Sequence, residues 1–175
     1  MKSVLISIQP KWCELIASGK KTVEVRKTKP KIDVPFKCYI YCTKDKKNTF
    51  FTKQVFNGEK GEWAIPRVGN GEVIGEFVCD RIDELAPINR ADENIEKQSC
   101  LSREQIVEYL RGKGYGWHIT DLVIYDKPKE LGEFKKPCNH KNDCCTCDRY
   151  DYIGHKCYDE ITRPPQSYMF VELEG

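Results

Sequence analysis

Eight residues, Gly19-Lys20-Lys21-Thr22-Val23-Glu24-Val25-Arg26, constrain this chain more than any other stretch. Just before them, Trp12, Cys13, Leu15 and Ile16 recur at the spacing of one apolar helix face. Pro10 opens that helix, where a missing N–H costs nothing, and Gly19 can cap its end. Thr22 to Lys27 then alternates apolar and polar residues, the period of a half-buried strand. Phe36 to Thr43 is a further run of aromatic and β-preferring residues, and only Lys29-Pro30-Lys31 and a few neighbours lie between the two. Two successive strands without a helix between them disfavour a doubly wound sheet. They point to an α+β, mostly β chain, a small mixed or closed β-barrel with helices packed on its ends.

The remaining pattern agrees. Val4 to Ile8, Gly71 to Ile82, Tyr115 to Tyr125 and Ser167 to Leu173 read as strands, with Pro128 closing the third of these. Gly75 inside its strand marks a bulge or a close backbone approach. Ser102-Arg103-Glu104-Gln105 is a capping box that opens a helix through Leu110. Residues 44–70 are polar, with Phe50, Phe51, Val55, Phe56 and Trp63 as anchors, and read as a hairpin or an ordered loop. The length of 175 residues fits one domain spanning 1–175 with one core.

Net charge is +2, too small to argue for nucleic acid by itself. Its distribution is uneven: residues 1–37 hold nine Lys or Arg against three acids, which forms a basic surface suited to phosphate. The start, MKSVLISIQP, turns polar without a cleavage site, and no apolar run reaches membrane-spanning length. A cytoplasmic protein without a membrane partner is expected.

In that compartment the ten cysteines are thiols or metal ligands more readily than disulfides. Cys13, Cys38, Cys42 and Cys79 lie in apolar surroundings and read as buried structural thiols, while Cys100 precedes a helix and reads as exposed. The others crowd into a cysteine-rich insertion, 138–160. Cys144 and Cys147 form a C-x-x-C knuckle, with Cys138 upstream and Cys157 downstream. Four soft thiolates suit a closed, tetrahedral, structural zinc site, whose binding energy would fold a segment with few apolar residues. Cys145, His140 and His155 are alternative ligands.

On the strand after Gly19, alternation puts Thr22, Glu24 and Arg26 on one face and Val23 and Val25 on the other. Glu24 beside Arg26 orients the guanidinium as a donor fork for phosphate or a base edge. The bland alternative is an ordinary solvated face.

Gly19, Lys21, Glu24 and Arg26 match the G-x-K-x-x-E-x-R signature of the ASCH (activating signal cointegrator homology) domain. Ser7-Ile8-Gln9-Pro10-Lys11-Trp12 resembles the family's opening strand–helix junction, and Trp117-His118-Ile119 its late strand. Pro164-Pro165-Gln166-Ser167-Tyr168-Met169-Phe170-Val171 resembles the ending of bacterial and phage members that carry a cysteine-containing insertion. The resemblance spans most of the chain outside 44–70 and 138–160. It implies a PUA-like small β-barrel with two or three flanking helices. It also implies a cleft beside the barrel that binds RNA or a modified nucleotide, with a regulatory role open. Carried over by position, the ligand-binding candidates are Lys11, Trp12, Lys21, Glu24, Arg26, Trp117, His118 and Tyr168.

The same cleft in a hydrolase would use Lys21, Glu24 and His118 as catalytic groups on RNA. Some small bacterial members resemble amidohydrolases acting on N(4)-acetylcytidine through a lysine, a threonine and a glutamate. Here Lys21 matches the lysine, Glu24 stands where the threonine belongs, and Glu72 and Glu76 lie in a plausible strand for the distant glutamate. The departure removes the nucleophile, so a binding module is favoured. There is no P-loop, G-x-S-x-G or H-E-x-x-H motif. A zinc-stapled protein–protein adaptor is the third alternative.

Overall fold

The computed structural model describes residues 3–45, 55–57, 61–64, 70–86, 92–137 and 158–173. The first strand, β1 (Ser3–Ile8), leads into helix α1 (Pro10–Ala17) and then β2 (Val23–Arg26) and β3 (Phe36–Cys42). A short antiparallel pair, β4 (Val55–Asn57) and β5 (Glu62–Ala64), follows, within the span read as a hairpin or loop. Next come β6 (Val73–Cys79), β7 (Ile82–Glu84), α2 (Ile95–Ser99) and α3 (Arg103–Leu110). The chain finishes with β8 (Tyr115–His118), β9 (Thr120–Lys129), β10 (Phe134–Pro137), β11 (Tyr158–Glu160) and β12 (Tyr168–Leu173).

Seven strands form one sheet in the order β11-β10-β12-β1-β3-β6-β9, and β2-β8-β7 form a second, three-stranded sheet. The large sheet is antiparallel except for the parallel pair β1–β3. Parallel neighbours need a crossover, and α1 with β2 supplies it. The expected barrel is not closed: β11 and β9 remain the two edges of an open sheet. The physical reason lies in the run from Tyr115 to Tyr125. It is two strands rather than one, divided at Ile119, with Asp121 just beyond in a left-handed conformation (φ 47°). The first half pairs with β2 and the second with β6, so the chain changes sheets instead of continuing a single wall. Pro128 does not end its strand, which runs through to Lys129. β9 is an edge strand, where a proline is tolerated.

Both faces of the large sheet are covered. One face presents Val4, Ile6, Cys38, Ile40 and Phe77 to α1 and Trp117. The other presents Leu5, Tyr39, Tyr41 and Val171 to Phe134 and Ile161. Each large apolar side chain buried in this way contributes about 1.5–3 kcal/mol. A third cluster joins Val23 and Val25 of β2 to Leu85, Ile95, Ile106 and Leu110, so the valine face of the charged strand is packed under α2 and α3. The capping box forms as read, with Ser102 Oγ accepting from Gln105 N and Gln105 Oε1 accepting from Ser102 N. Gly75 is a close approach: a Cβ there would collide with the Val123 carbonyl oxygen, beside an irregularity in the β6–β9 register.

Cys13, Cys38, Cys42 and Cys79 are buried and free, and Cys100 is half-buried rather than exposed. Burial pushes the thiols of Cys13 and Cys38 well above the usual 9.0. Burial, with Asp80 nearby, raises Cys79 to about 12. Helix α2 had no counterpart in the sequence reading; at five residues it is too short to show a period. No described helix is long and apolar enough to cross a membrane.

Candidate functional site

Helix α1 begins at Pro10 and ends where Gly19 takes a left-handed conformation (φ 72°), its N–H bonded to Ile16 O. Lys21 N then bonds back to Leu15 O, and Thr22 N to Gln98 O. These bonds hold Lys21 between α1 and α2 and aim β2 along its partner β8. With the valines turned to the helices, Glu24 and Arg26 face the other way, toward the large sheet.

That face is not solvated. Lys21, Glu24 and Arg26 are only 2%, 6% and 7% exposed. Lys21 Nζ donates to Ser99 O at 2.8 Å and lies 3.3 Å from Glu24 Oε2. Arg26 Nη2 donates to Ser7 O at 2.5 Å, and its Nε lies 3.0 Å from Glu24 Oε1. The Nε–H is not aimed at that oxygen and finds no other acceptor among the described residues, so this contact is a charge pair rather than a hydrogen bond. One carboxylate thus bridges two cations, and each cation also bonds a backbone carbonyl. Buried charges persist only when paired and hydrogen-bonded in this manner.

The three side chains open onto a cavity of about 680 Å³. Its walls come from Ser7, Ile8, Gln9 and Trp12 at the first strand–helix junction, and from Tyr41 at the end of β3 with Thr43 and Lys44 just after it. Leu101 and Tyr109 close a third side, and Pro164, Pro165 and Gln166 a fourth. Ser7 ties the last wall down, its Oγ donating to Pro165 O at 2.6 Å and its N–H to Ser167 O at 3.0 Å. The Trp12 ring lies 5.2 Å from Lys21 Nζ, within cation–π range.

Of the residues singled out from the sequence, Trp12, Lys21, Glu24 and Arg26 are brought together at this cavity. Lys11 is exposed and lies over the Trp12 ring at 4.7 Å, outside the lining. Trp117 is wholly buried, edge-on to Phe36 at 5.7 Å and tilted against Tyr168 at 5.4 Å; it is a core anchor with no face left for a base. Tyr168 donates to Lys29 O at 2.8 Å and does not line the cavity. His118 stands apart, its Nε2 2.7 Å from Asp83 Oδ2 and 2.9 Å from the Arg81 guanidinium. Opposite residues of an antiparallel pair share a face, and the β2–β8 register sets His118 against Val23, away from Glu24. Glu72 and Glu76 do not line the cavity either. Cys138, Cys144, Cys147 and Cys157, with the alternates Cys145, His140 and His155, lie outside the described residues. No group of metal-ligating side chains is gathered among the described ones.

The sequence reading missed Tyr41, Lys44, Tyr109 and the walls Gln9 and Gln166. Tyr109 was legible only as a helix residue. Gln9 lies in the strand–helix junction motif and Pro164, Pro165 and Gln166 in the motif of the ending, but nothing in either pattern announced a wall.

An open mostly β fold with a charged trio under a strand–helix junction defines the class. Residues 6–129 match the ASCH domain, and the chain belongs to that family, whose members are generally thought to bind RNA. Solved structures agree in fold. The chain is similar to ASCH from Zymomonas mobilis (19% identity, TM-score 0.51, covering 98% of this chain and 88% of that one). It is similar also to a serine-to-alanine mutant of that protein (20% identity, TM-score 0.58, covering 98% and 89%). A tyrosine-to-phenylalanine mutant of the same protein gives 19% identity and a TM-score of 0.54, covering 98% and 91%. None of the curated proteins compared matches the sequence.

Proposed function

We propose that the chain is an RNA- or modified-nucleotide-binding domain whose ligand sits in the cavity over Lys21, Glu24 and Arg26. The observation that carries this reading is a buried trio with one surplus positive charge, opening onto a space of about 680 Å³ that Trp12 and Tyr109 also line. That volume is within the usual range for small-ligand sites, about 300–1,000 Å³. Aromatic rings beside fixed cations are the ordinary equipment for an unpaired base and its phosphate. Lys44 at the exposed rim supplies a further cation for the backbone.

Binding is favoured over hydrolysis of RNA or of a modified nucleoside. Glu24 is the sole carboxylate among the described lining residues, and both its oxygens lie against cations. His118, the other acid–base candidate, is held by Asp83 and Arg81 outside the lining.

The test is anisotropy of a labelled single-stranded RNA. Trp12→Ala should weaken binding by about 1–3 kcal/mol, the value of one stacked base. Lys44→Gln should lower the slope of log K against log salt by about 0.7, one single-strand phosphate contact. Unchanged binding in a folded Trp12→Ala protein would sink the reading. Turnover of acetylated cytidine or labelled RNA, lost in Lys21→Ala, would replace it with the hydrolase.

We also propose a structural zinc ion on Cys138, Cys144, Cys147 and Cys157, within one domain spanning 1–175. Donor chemistry supports it, as does the β10–β11 pairing. Pro137 and Tyr158, the neighbours in sequence of Cys138 and Cys157, are directly opposite partners. Metal analysis should return about one zinc per chain, and a chelator should lower the unfolding temperature. A metal-free protein with the same stability would overturn the assignment.

A further inference from the structure

The cavity floor is rich in hydrogen-bond donors and short of acceptors, and this bears on which base it takes. The backbone acceptors nearest the trio are already engaged. Ser99 O takes Lys21 Nζ, Ser7 O takes Arg26 Nη2, and Pro165 O takes Ser7 Oγ. Glu24 has a cation against each oxygen.

Donors are in surplus. A guanidinium and an ammonium together carry far more N–H groups than these acceptors use. Among the described residues, three buried side-chain polar atoms find no hydrogen-bond partner: Arg26 Nε, Ser99 Oγ and Trp117 Nε1. All three can donate and belong to residues in or next to the trio, and of these residues Arg26 is the one that lines the cavity. Arg26 belongs to it, Ser99 supplies the carbonyl that holds Lys21, and Trp117 is the cross-strand partner of Glu24. Arg26 is itself more than nine-tenths buried and lines the cavity.

We propose that the cavity selects an unpaired base by its keto oxygens, preferring a uracil-type ring to an amino-bearing cytosine or adenine. The proposal rests on the nucleotide reading of the site and refines it. A 4-keto oxygen meets the surplus N–H groups of Lys21 and Arg26. A 4-amino group would set N–H against N–H beside two cations, which outnumber the one carboxylate between them. Phosphate oxygens offer the same acceptor chemistry, so the experiment has to separate base from backbone.

The experiment compares labelled oligouridine and oligocytidine of equal length with the full-length protein at one salt concentration, with inorganic phosphate as competitor. Both strands carry the same phosphates, so any difference belongs to the base. Oligouridine should bind about tenfold to a hundredfold more tightly, the range one well-made base-edge contact gives. Phosphate should displace it no better than an equal ionic strength of chloride. Lys21→Met should shrink the ratio, whereas Trp12→Ala should weaken both strands and preserve it. Equal affinities, a preference for cytidine, or specific displacement by phosphate would each overturn keto selection while leaving a nucleotide site in place. Failure of every oligonucleotide to bind would instead remove the underlying reading. The wild-type comparison decides the matter even where Lys21→Met does not fold.

Discussion

Two polar clusters sit on opposite faces of the large sheet, and they are built for different ends. On the α1 face, Lys21, Glu24 and Arg26 are almost wholly buried, hold two cations to one carboxylate, and open onto a cavity. On the other face, Lys37 Nζ donates to Glu76 Oε1 at 2.6 Å and Tyr125 Oη donates to Glu76 Oε2 at 2.5 Å. There the Lys37 and Glu76 side chains are 36% and 21% exposed, one cation meets one anion, and none of the three lines the cavity. The outer cluster is complete as it stands. The inner one keeps charge and unpartnered donors in excess, at some expense to stability. An excess held in a buried site is a feature of binding, whereas a closed set is a feature of the scaffold.

The sharpest way to break this contrast is to remove each carboxylate. Glu24→Ala leaves two buried cations without their counter-charge, and denaturant unfolding should show a loss of about 3–5 kcal/mol. Glu76→Gln removes a half-exposed charge with hydrogen bonds, and the loss should be about 1 kcal/mol once solvent screening is allowed for. RNA affinity in Glu76→Gln should stay at the wild-type value. Similar losses for the two variants, or weaker RNA binding in Glu76→Gln, would erase the distinction.

Acid titration gives a smaller and more specific effect. Burial raises the Glu76 carboxyl, but the bonds from Lys37 and Tyr125 outweigh it and hold it below the usual 4.5. A carboxyl depressed by folding stabilises above its unfolded value, and that contribution is lost as pH falls through the folded one. The stability difference between wild type and Glu76→Gln should therefore be full at pH 7. It should shrink as pH falls below about 4.5 and be lost once pH has passed through the lower, folded-state value. A difference independent of pH would mean that the charge of Glu76 is not what matters.

Least of all, Tyr125→Phe should cost about 1 kcal/mol or less. Burial, and then the bond to Glu76, push that phenol well above the usual 10.0. Ultraviolet titration should accordingly show one tyrosine fewer among the late-ionising class in the variant. An unchanged titration would contradict the Tyr125–Glu76 bond.

Much of the local structure was legible without coordinates. The period of residues 10–18, the stop at Gly19, the alternation through Arg26 and the box at Ser102 each depend on neighbours within a few positions. Backbone sterics and hydrogen-bond geometry act on that scale. Alternation also showed that Glu24 and Arg26 share a face. It was silent on whether that face meets water or the protein, because burial is decided by what arrives from far along the chain. The Pro164–Pro165 wall and Tyr109 come from elements more than eighty residues away. The same gap explains Tyr115 to Tyr125, where one continuous β-preferring run carries no mark of a change of sheet. Short-range pattern therefore specified the strands and the charged residues on them. Long-range packing assigned the faces, left the sheet open, and turned an ordinary-looking charged strand into the floor of a cavity.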